Sequence, residues 1–381
     1  MGGVNKPDPQ VETVVDLAAI AHNVRIVAEH AGDAAVMVVV KADGYNHGAI
    51  EVAAAALAAG AREIGVTTIE EALKLRAAGI TAPILCWLNT FDSDYASAIA
   101  ADIEIAVSDT AQLEAVAAAA RALDRTAILS LKVDTGLNRN GIAPAEYPRV
   151  LTLLRELVDD RTVRFRAIFS HLAHADTPDH PGIDMQRARF LEAIATAKEH
   201  GLQPELVHLA NSAAALTRPD LAFDMVRPGI AVYGLSPIPE ISDFGLRPAM
   251  TLRARVALVK QVAAGEGVSY GHQWIAPHDT TVALIPAGYA DGVPRPLSGR
   301  FDVWLGGERR PNIGRICMDQ FVVDLGDNAA GISEGDPAIL FGGDAGVPHA
   351  QEWADLLGTI NYEIVCAPRG RVVRTYIGGV R

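Results

Sequence analysis

Residues 34–40 have the sequence AAVMVVV, and Lys41 follows them directly, ahead of the polar segment ADGYNHG at 42–48. Seven consecutive apolar residues predict a strand that is buried on both faces, as strands of parallel sheets are. The glycine-containing polar segment predicts a loop at the carboxyl end of that strand. Lys41 therefore stands where a core strand ends and a loop begins.

A lysine in this position has two interpretations. An ammonium group at the end of a core strand is costly unless it has a partner or is used chemically, and desolvation makes it lose its proton more readily. That property suits a Schiff-base lysine. The alternative is a lysine whose long stem carries the ammonium past the strand end into solvent.

Short apolar, β-branched runs recur along the first two thirds of the chain. They lie at residues 36–40, 64–66, 84–87, 103–107, 127–133, 163–169, 206–209 and 224–226. Helical patterns separate most of them, for example at 69–78, where Thr68 and Glu71 form a capping box. Eight strands with intervening helices predict a (β/α)8 TIM-type barrel. An open doubly wound sheet is the alternative, but no GxGxxG sequence follows any of the runs.

The last third of the chain has a different pattern. Apolar and polar residues alternate from 252 to 258, and further strand-like runs lie at 281–285, 301–305, 321–325, 338–341 and 371–377. This pattern predicts a mostly β domain, so the fold class is α/β, with a barrel followed by a β-rich C-terminal domain. We assign residues 12–244 to the barrel and 245–381 to the second domain, joined by residues 1–11. The run at 11–15 is also a candidate to pair with the second domain.

Composition excludes several classes of protein. Half of the 381 residues are hydrophobic and 21% are charged, as in globular proteins, and no apolar stretch has the length of a membrane span. The net charge of −13 argues against nucleic acid or an anionic membrane as the main partner. Three cysteines without CxxC spacing indicate neither a disulfide framework nor a zinc site. The first residues lack an apolar signal region, so we expect a cytoplasmic protein.

The active site of a (β/α)8 barrel lies at the carboxyl ends of its strands. The residues expected there are Lys41, Tyr45, Lys132, Arg139, His171, Asn211, Ser212, Arg227, Gly229 and Ile230. Ser212 and Gly229 follow the seventh and eighth strands, where barrels commonly bind phosphate. Each has an ordinary alternative, because Asn-Ser is a common helix cap and Pro-Gly a common turn. A reactive lysine and a phosphate site on one rim together indicate pyridoxal phosphate.

Nine segments give the sequence a resemblance to the barrel-type alanine racemase family. In order, they are VVVKADGYNHG, KVDTGLNR, FSHLAHAD, HLANSAA, RPGIAVYG, GEGVSYG, GYADGVPR, GRICMDQ and GTINYE. They cover nearly the whole chain. Gly44 and Asn46 replace the alanine and glycine that are commoner in the family.

The resemblance implies a head-to-tail homodimer with shared active sites. Lys41 would hold pyridoxal phosphate and act as the base on one face of the substrate, and Tyr270 of the other chain would act on the opposite face. His171 and Arg227 would form a hydrogen-bonded chain that tunes the tyrosine. For His171, a core histidine with satisfied hydrogen bonds is the alternative.

The resemblance assigns further roles. Arg227 would face the pyridine nitrogen of the cofactor, and because arginine keeps its proton, that nitrogen would stay unprotonated. The phosphate would be held by Tyr45, Ser212, Gly229, Ile230 and Tyr362; the substrate carboxylate by Arg139 and the backbone of Met318; the entrance would be lined by Tyr289 and Arg295. Lys132 matches a lysine that is often carbamylated, and a plain contact with Asp134 or solvent is its alternative.

The implied activity is the interconversion of L-alanine and D-alanine for peptidoglycan synthesis. A racemase of broader specificity, or one for serine, is the nearest alternative. An amino-acid decarboxylase is disfavoured by Arg227 and Tyr270, and a non-enzymatic cofactor carrier by the second domain. We expect no metal, because the spacing of His171, His174, Asp176 and His180 matches no usual zinc pattern.

Overall fold

The computed structural model describes residues 8–379, which form two compact units. One unit is Ile20–Leu246, and the other combines residues 8–19 with residues 247–379. Within 8–379, none of the helices combines the length and the apolar character needed to span a bilayer.

Nineteen strands are present in the described residues. In chain order they are β1 (Val11–Asp16), β2 (Ala35–Val39), β3 (Glu63–Val66), β4 (Ile84–Cys86), β5 (Glu104–Val107), β6 (Ala127–Lys132), β7 (Val163–Phe169), β8 (Leu206–His208), β9 (Met225–Val226), β10 (Met250–Arg255), β11 (Leu258–Val262), β12 (Gly267–Val268), β13 (Trp274–Ile275), β14 (Thr280–Ile285), β15 (Asp302–Leu305), β16 (Glu308–Ile313), β17 (Phe321–Gly326), β18 (Pro337–Phe341) and β19 (Val373–Ile377).

The right-handed helices are mostly in the first unit. They span Leu17–Ala31, Ala49–Ala58, Ile69–Ala77, Tyr95–Ala100, Thr110–Leu123, Tyr147–Asp159, Pro181–Glu199, Ser212–Thr217, Ala350–Leu357 and Asn361–Cys366. The predicted capping box is present, since Thr68 accepts a hydrogen bond from the Glu71 amide and the Glu71 carboxylate accepts one from the Thr68 amide.

Strands β2 to β9 form a closed barrel in which every neighbouring pair is parallel. The barrel closes where β2 pairs with β9, with Ala35 opposite Met225. All residues of β3 and β5 are buried, as expected of strands enclosed by helices on one face and a filled interior on the other. The predicted TIM-type barrel is confirmed.

The barrel interior contains an ionic cluster at the start of its strands. Arg166 on β7 donates to Glu63 at 2.5 Å and to Glu205 at 3.3 Å, and lies 3.9 Å from Glu104. Ser130 donates a short hydrogen bond to Glu104, which is buried. Burial raises the pKa of Glu104 to about 7, although the hydrogen bond from Ser130 and the charge of Arg166 partly oppose this rise. Arg166 is therefore the positively charged partner of two buried carboxylates, Glu63 and Glu104. They lie at the end of the barrel opposite the carboxyl ends of its strands.

We expect Glu104→Gln to flatten the pH dependence of stability in the mildly acidic range. The folded protein holds the Glu104 proton up to about pH 7, whereas the unfolded chain releases it near pH 4.5, so the stability contributed by Glu104 falls as the pH rises through that window. From pH 4 to pH 8, the free energy of unfolding of the variant should rise by about 3 kcal/mol relative to that of the parent. Urea unfolding at both pH values measures this. The exposed Glu114→Gln is the control, and an equal pH dependence in parent and Glu104→Gln would contradict the assignment.

The second unit is built on a nine-stranded sheet with the order β11-β14-β17-β16-β15-β18-β10-β1-β19, and β12 and β13 form a separate hairpin. Strand β1 lies in this sheet, antiparallel to β10 and parallel to β19. The barrel unit therefore begins at Ile20 and not at residue 12, because β1 forms its strand hydrogen bonds within the second unit. Residues 1–7 of the predicted N-terminal addition, and residues 380–381, lie outside the described residues.

Candidate active site

Lys41 follows β2 and opens a left-handed turn. The next five residues, 42–46, all have φ between +51° and +65°. For residues other than glycine and asparagine, this conformation costs roughly 1–2 kcal/mol each, so contacts with other groups must stabilise the segment. The Ala42 amide donates to the Glu71 carboxylate at 2.7 Å, and the Ala49 amide donates to the Asp43 carboxylate at 3.0 Å. Gly44 and Asn46, the two departures from the family sequence, are residue types that tolerate the left-handed conformation.

We expect Gly44→Ala to destabilise the barrel unit by more than the left-handed conformation alone explains. A β-carbon at Gly44 would lie 3.1 Å from the Ala49 amide nitrogen and 3.2 Å from its α-carbon. Gly32 has a similar φ of +62° but open space around it, so Gly32→Ala isolates the conformational cost of about 1 kcal/mol. Urea unfolding of both variants measures the difference. A loss for Gly44→Ala no larger than that for Gly32→Ala would show that crowding contributes nothing.

The segments after β8 and β9 meet at Ser212. The Ser212 hydroxyl is buried and accepts hydrogen bonds from the Gly229 amide at 2.8 Å and the Ala231 amide at 3.4 Å. Asn211 caps the following helix through the Ala214 amide, so Ser212 is left to join the two segments. A β-carbon at Gly229 would lie 2.3 Å from the Tyr45 hydroxyl oxygen, so only glycine fits beside this tyrosine.

Two neighbours of these residues are fully buried. Ile230 is enclosed in the barrel unit, and Tyr233 donates its hydroxyl to the Val39 carbonyl at 2.9 Å and packs against the Tyr45 ring. The structure therefore brings the predicted residues Tyr45, Ser212, Gly229 and Ile230 together beside the end of β2.

Arg227 lies buried directly after β9, and within residues 8–379 none of its hydrogen-bond partners is a carboxylate. One guanidinium nitrogen donates to the Ser170 and Leu209 carbonyls at 2.6 and 3.1 Å, and another to His208 Nδ1 at 2.9 Å. Because arginine can only donate, Nδ1 of His208 must be the acceptor. Burial and the positive Arg227 and Arg166 hold the pKa of His208 well below its usual value, which keeps the ring neutral. Burial lowers the pKa of Arg227 to about 9, so it keeps its charge at neutral pH.

Cationic side chains surround Arg227 on the same rim. Burial, then Arg227, Arg139 and Lys41, lower the pKa of Lys132 to about 8, and Asp134 opposes them only weakly. Burial and the same positive groups lower the pKa of His171 to about 3. The structure thus brings Lys41 and Arg227 within electrostatic reach of Lys132 and His171, and Arg139 acts on the same two residues from an exposed loop. This rim is suited to an anionic ligand.

The remaining predicted site residues belong to the β-rich unit. They are Tyr270, Tyr289, Arg295, Met318 and Tyr362. Tyr270 is 69% exposed and Met318 is 53% exposed in the single chain. The Cys317 carbonyl accepts a hydrogen bond from the Tyr289 amide at 3.1 Å, and the Met318 carbonyl accepts one from the Ala290 amide at 3.0 Å, so Tyr289 and Met318 are held on adjacent segments.

The histidines weighed as metal ligands have other contacts. His174 and His180 stack with ring centroids 3.7 Å apart, and His180 Nδ1 accepts the Gly182 amide at the start of a helix. Within residues 8–379, no group of three or more histidine, cysteine or acidic side chains has a geometry suited to a metal ion.

Sequence reasoning missed the groups that hold Arg227. His208, Phe169 and Ser170 were present in the quoted motifs but received no role. His208 stacks on Phe169 with centroids 4.9 Å apart, and the Arg227 guanidinium lies 5.3 Å from the Phe169 centroid. The available signal was a histidine at the next-to-last position of the predicted strand 206–209, close to the active-site rim.

Two family models match the chain. The alanine racemase N-terminal domain matches residues 15–237, and the alanine racemase C-terminal domain matches residues 249–376. The gap between the two models, at residues 238–248, contains the point after Leu246 where the structure divides the chain.

Relatives match at high identity over nearly their full length. Alanine racemase of Mycobacterium ulcerans is 57% identical over 371 residues, covering 97% of this chain and 96% of the relative. That of Mycolicibacterium smegmatis is 59% identical over 372 residues, with the same coverage. The solved alanine racemase of Streptomyces lavendulae superposes with a TM-score of 0.95 at 48% identity, covering 98% of this chain and 99% of that one. The chain belongs to the alanine racemase family.

Proposed function

We propose that this protein interconverts L-alanine and D-alanine with pyridoxal phosphate as cofactor. The observation that carries the proposal is the buried Arg227, held by two carbonyls and a neutral histidine at the rim that bears Lys41. Relatives named alanine racemase at 57–59% identity support the same activity. We also propose that the protein acts in the cytoplasm and supplies D-alanine for peptidoglycan synthesis.

The rim fits a cofactor that carries a phosphate. Lys41, Lys132, Arg139 and Arg227 place positive charge there. The pKa of Lys132 is lowered first by burial and then by repulsion from the other three residues. A dianionic phosphate and a substrate carboxylate would relieve that repulsion. Ser212, Tyr45 and the backbone at Gly229 and Ile230 would hold the phosphate, joined by Tyr362.

Arg227 would face the ring nitrogen of the cofactor. When bound, pyridoxal phosphate accepts the electron pair left behind when the α-proton is removed. Since the guanidinium keeps its own proton, Arg227 would leave the ring nitrogen unprotonated and would limit how far electrons are drawn away from the α-carbon. Return of a proton to the α-carbon would then be favoured over loss of carbon dioxide or of the amino group, which separates a racemase from a decarboxylase.

Two bases on opposite faces of the substrate would move the proton. Lys41 would hold the cofactor and act from one face, and Tyr270 from a second copy of the chain would act from the other, in a head-to-tail homodimer. Burial and nearby cations lower the pKa of His171 to about 3, which keeps its ring neutral at working pH. With Arg227, this neutral ring would form the hydrogen-bonded chain that tunes the tyrosine.

Other residues would hold the substrate and limit its size. Arg139 and the Met318 amide would bind the carboxylate, and Tyr289 and Arg295 would line the entrance. The lowered pKa of Lys132, about 8, favours the neutral amine that carbamylation requires, and the resulting negative charge would orient Arg139. Serine differs from alanine by one hydroxyl group, so activity on serine is the nearest alternative.

Chiral chromatography of the products tests the proposal. The purified protein with pyridoxal phosphate is incubated separately with L-alanine, D-alanine, L-serine and L-lysine. Equal amounts of both alanine enantiomers from either starting enantiomer are expected. Faster turnover of serine would change the substrate and keep the mechanism. Carbon dioxide from lysine would indicate a decarboxylase, and bound cofactor without any turnover a carrier.

A further inference from the structure

Ser269 stands directly before Tyr270 in a backbone conformation that is unusual for serine. Its φ is +62° and its ψ is −172°, a region that only glycine enters without strain. Strained residues of this kind persist where the surrounding structure holds them, and they concentrate at functional sites. The strain here falls on the peptide that sets the direction of the Tyr270 side chain.

The Ser269 side chain supplies the support that a glycine would lack. Its hydroxyl donates to the Arg315 carbonyl at 2.7 Å and lies 3.4 Å from the Cys317 sulfur. The two backbones are in close approach, because a β-carbon at Gly314 would lie 2.7 Å from the Val268 carbonyl oxygen and 3.0 Å from the Ser269 β-carbon. The serine hydroxyl therefore ties the Tyr270 segment to the segment that ends in Met318.

A third segment is joined at the same point. A β-carbon at Gly288 would lie 2.4 Å from the Cys317 carbonyl oxygen and 2.3 Å from the Met318 carbonyl oxygen. The backbone bonds from Tyr289 and Ala290 to those two carbonyls complete the contact. Tyr270, Met318 and Tyr289 are thus carried by three segments that are fixed to one another within the β-rich unit.

We propose that Ser269 is a positioning residue for Tyr270, acting through its hydroxyl bond to Arg315. The inference rests on the proposed role of Tyr270 as the second base. The hydroxyl holds the strained backbone, and the strained backbone aims the phenol and fixes it relative to the Met318 amide. A displacement of about 1 Å at a reacting group can cost roughly 100-fold in rate, so loss of this bond reaches the chemistry.

The test compares Ser269→Ala and Ser269→Gly with Asn328→Ala. Asn328 also has a positive φ, of +54°, and is held by side-chain bonds to Ile332, so its alanine variant controls for general loss of support in the same unit. The holoenzyme is assayed with α-deuterated alanine of each enantiomer. Both Ser269 variants are expected to lose roughly 10- to 100-fold in kcat. The isotope effect should rise only for the enantiomer whose proton Tyr270 removes.

A second readout does not depend on activity. In protein labelled with 3-fluorotyrosine, the 19F resonance of Tyr270 is assigned by its disappearance in Tyr270→Phe. It should shift or broaden in both Ser269 variants and stay unchanged in Asn328→Ala.

Three results would overturn the proposal: full activity in Ser269→Gly, a loss of rate with unchanged isotope effects and an unchanged Tyr270 resonance, or the same changes in Asn328→Ala. If the parent enzyme fails to racemise any amino acid, the proposed function fails. The 19F comparison still decides whether Ser269 positions Tyr270.

Discussion

Replacing Lys41 with alanine is expected to lower the rate of alanine racemisation by about 10⁴-fold or more, because under the proposed mechanism the substitution removes both the attachment point of the cofactor and one of the two bases. Lys41 is only partly buried, and the buried strand before it stays intact, so the free energy of unfolding should change little. Chiral product analysis and the visible absorbance of bound cofactor measure the two losses separately.

Lys74→Ala is the matched control for Lys41→Ala. Lys74 is an exposed lysine on the helix Ile69–Ala77 of the same unit, and its loss should leave the rate unchanged. Added methylamine should restore part of the activity of Lys41→Ala, since a free amine can replace the missing base. Retention of more than about a tenth of the parental rate in Lys41→Ala would remove Lys41 from the mechanism.

Replacing Arg227 with glutamine should change what the enzyme makes as well as how fast. The racemisation rate is expected to fall by about 10²- to 10³-fold, because a preorganised charge at the reacting centre is lost. Glutamine leaves acceptors unpaired among the Ser170 and Leu209 carbonyls and His208, so stability should fall by about 3 kcal/mol. The ratio of pyruvate formed to alanine racemised should rise, because the restraint that we propose Arg227 places on the ring nitrogen would be removed.

Arg166→Gln separates the two effects of Arg227→Gln. Arg166 is an arginine on β7 of the same barrel, bonded to Glu63 at 2.5 Å at the opposite end. Its loss should lower stability without raising the ratio of pyruvate to racemised alanine. An unchanged ratio in Arg227→Gln, or an equal rise in both variants, would contradict the role given to Arg227.

The barrel could be predicted from sequence because its strands are continuous apolar runs. The run at 163–169 matches β7 at both ends, and the other seven barrel strands begin and end within two residues of the prediction. Parallel strands covered by helices are apolar on both faces, so their pattern stands out from the flanking loops.

Parts of the β-rich unit could not be predicted in the same way. Strand β16 has the sequence ERRPNI, in which charge and a proline conceal a strand. Its Arg310 is buried because it donates to the Leu305 and Leu325 carbonyls and pairs with Glu308. The two carbonyls lie on the neighbouring strands β15 and β17, and a local sequence pattern does not show that Arg310 reaches them.

The candidate site likewise contains residues that local sequence patterns predict and features that depend on distant contacts. Lys41, Ser212 and Arg227 could be placed because each follows a recognisable strand on one rim. The neutral state of His208 and the cluster of Glu63, Glu104 and Arg166 depend on contacts between distant strands. The positive φ of Ser269 and the close approach of the segment at Gly314 depend on tertiary contacts, which the sequence GEGVSYG does not reveal.

Mixing two inactive variants tests the central claim most directly. Lys41→Ala and Tyr270→Phe are co-expressed with different affinity tags, and the racemase activity of the mixture is compared with each variant alone and with the parent. If each active site combines Lys41 of one chain with Tyr270 of its partner, a mixed dimer contains one intact site and one site that lacks both bases. Random pairing should then restore about a quarter of the parental activity. Purified mixed dimers without any recovered activity would contradict a shared two-base site.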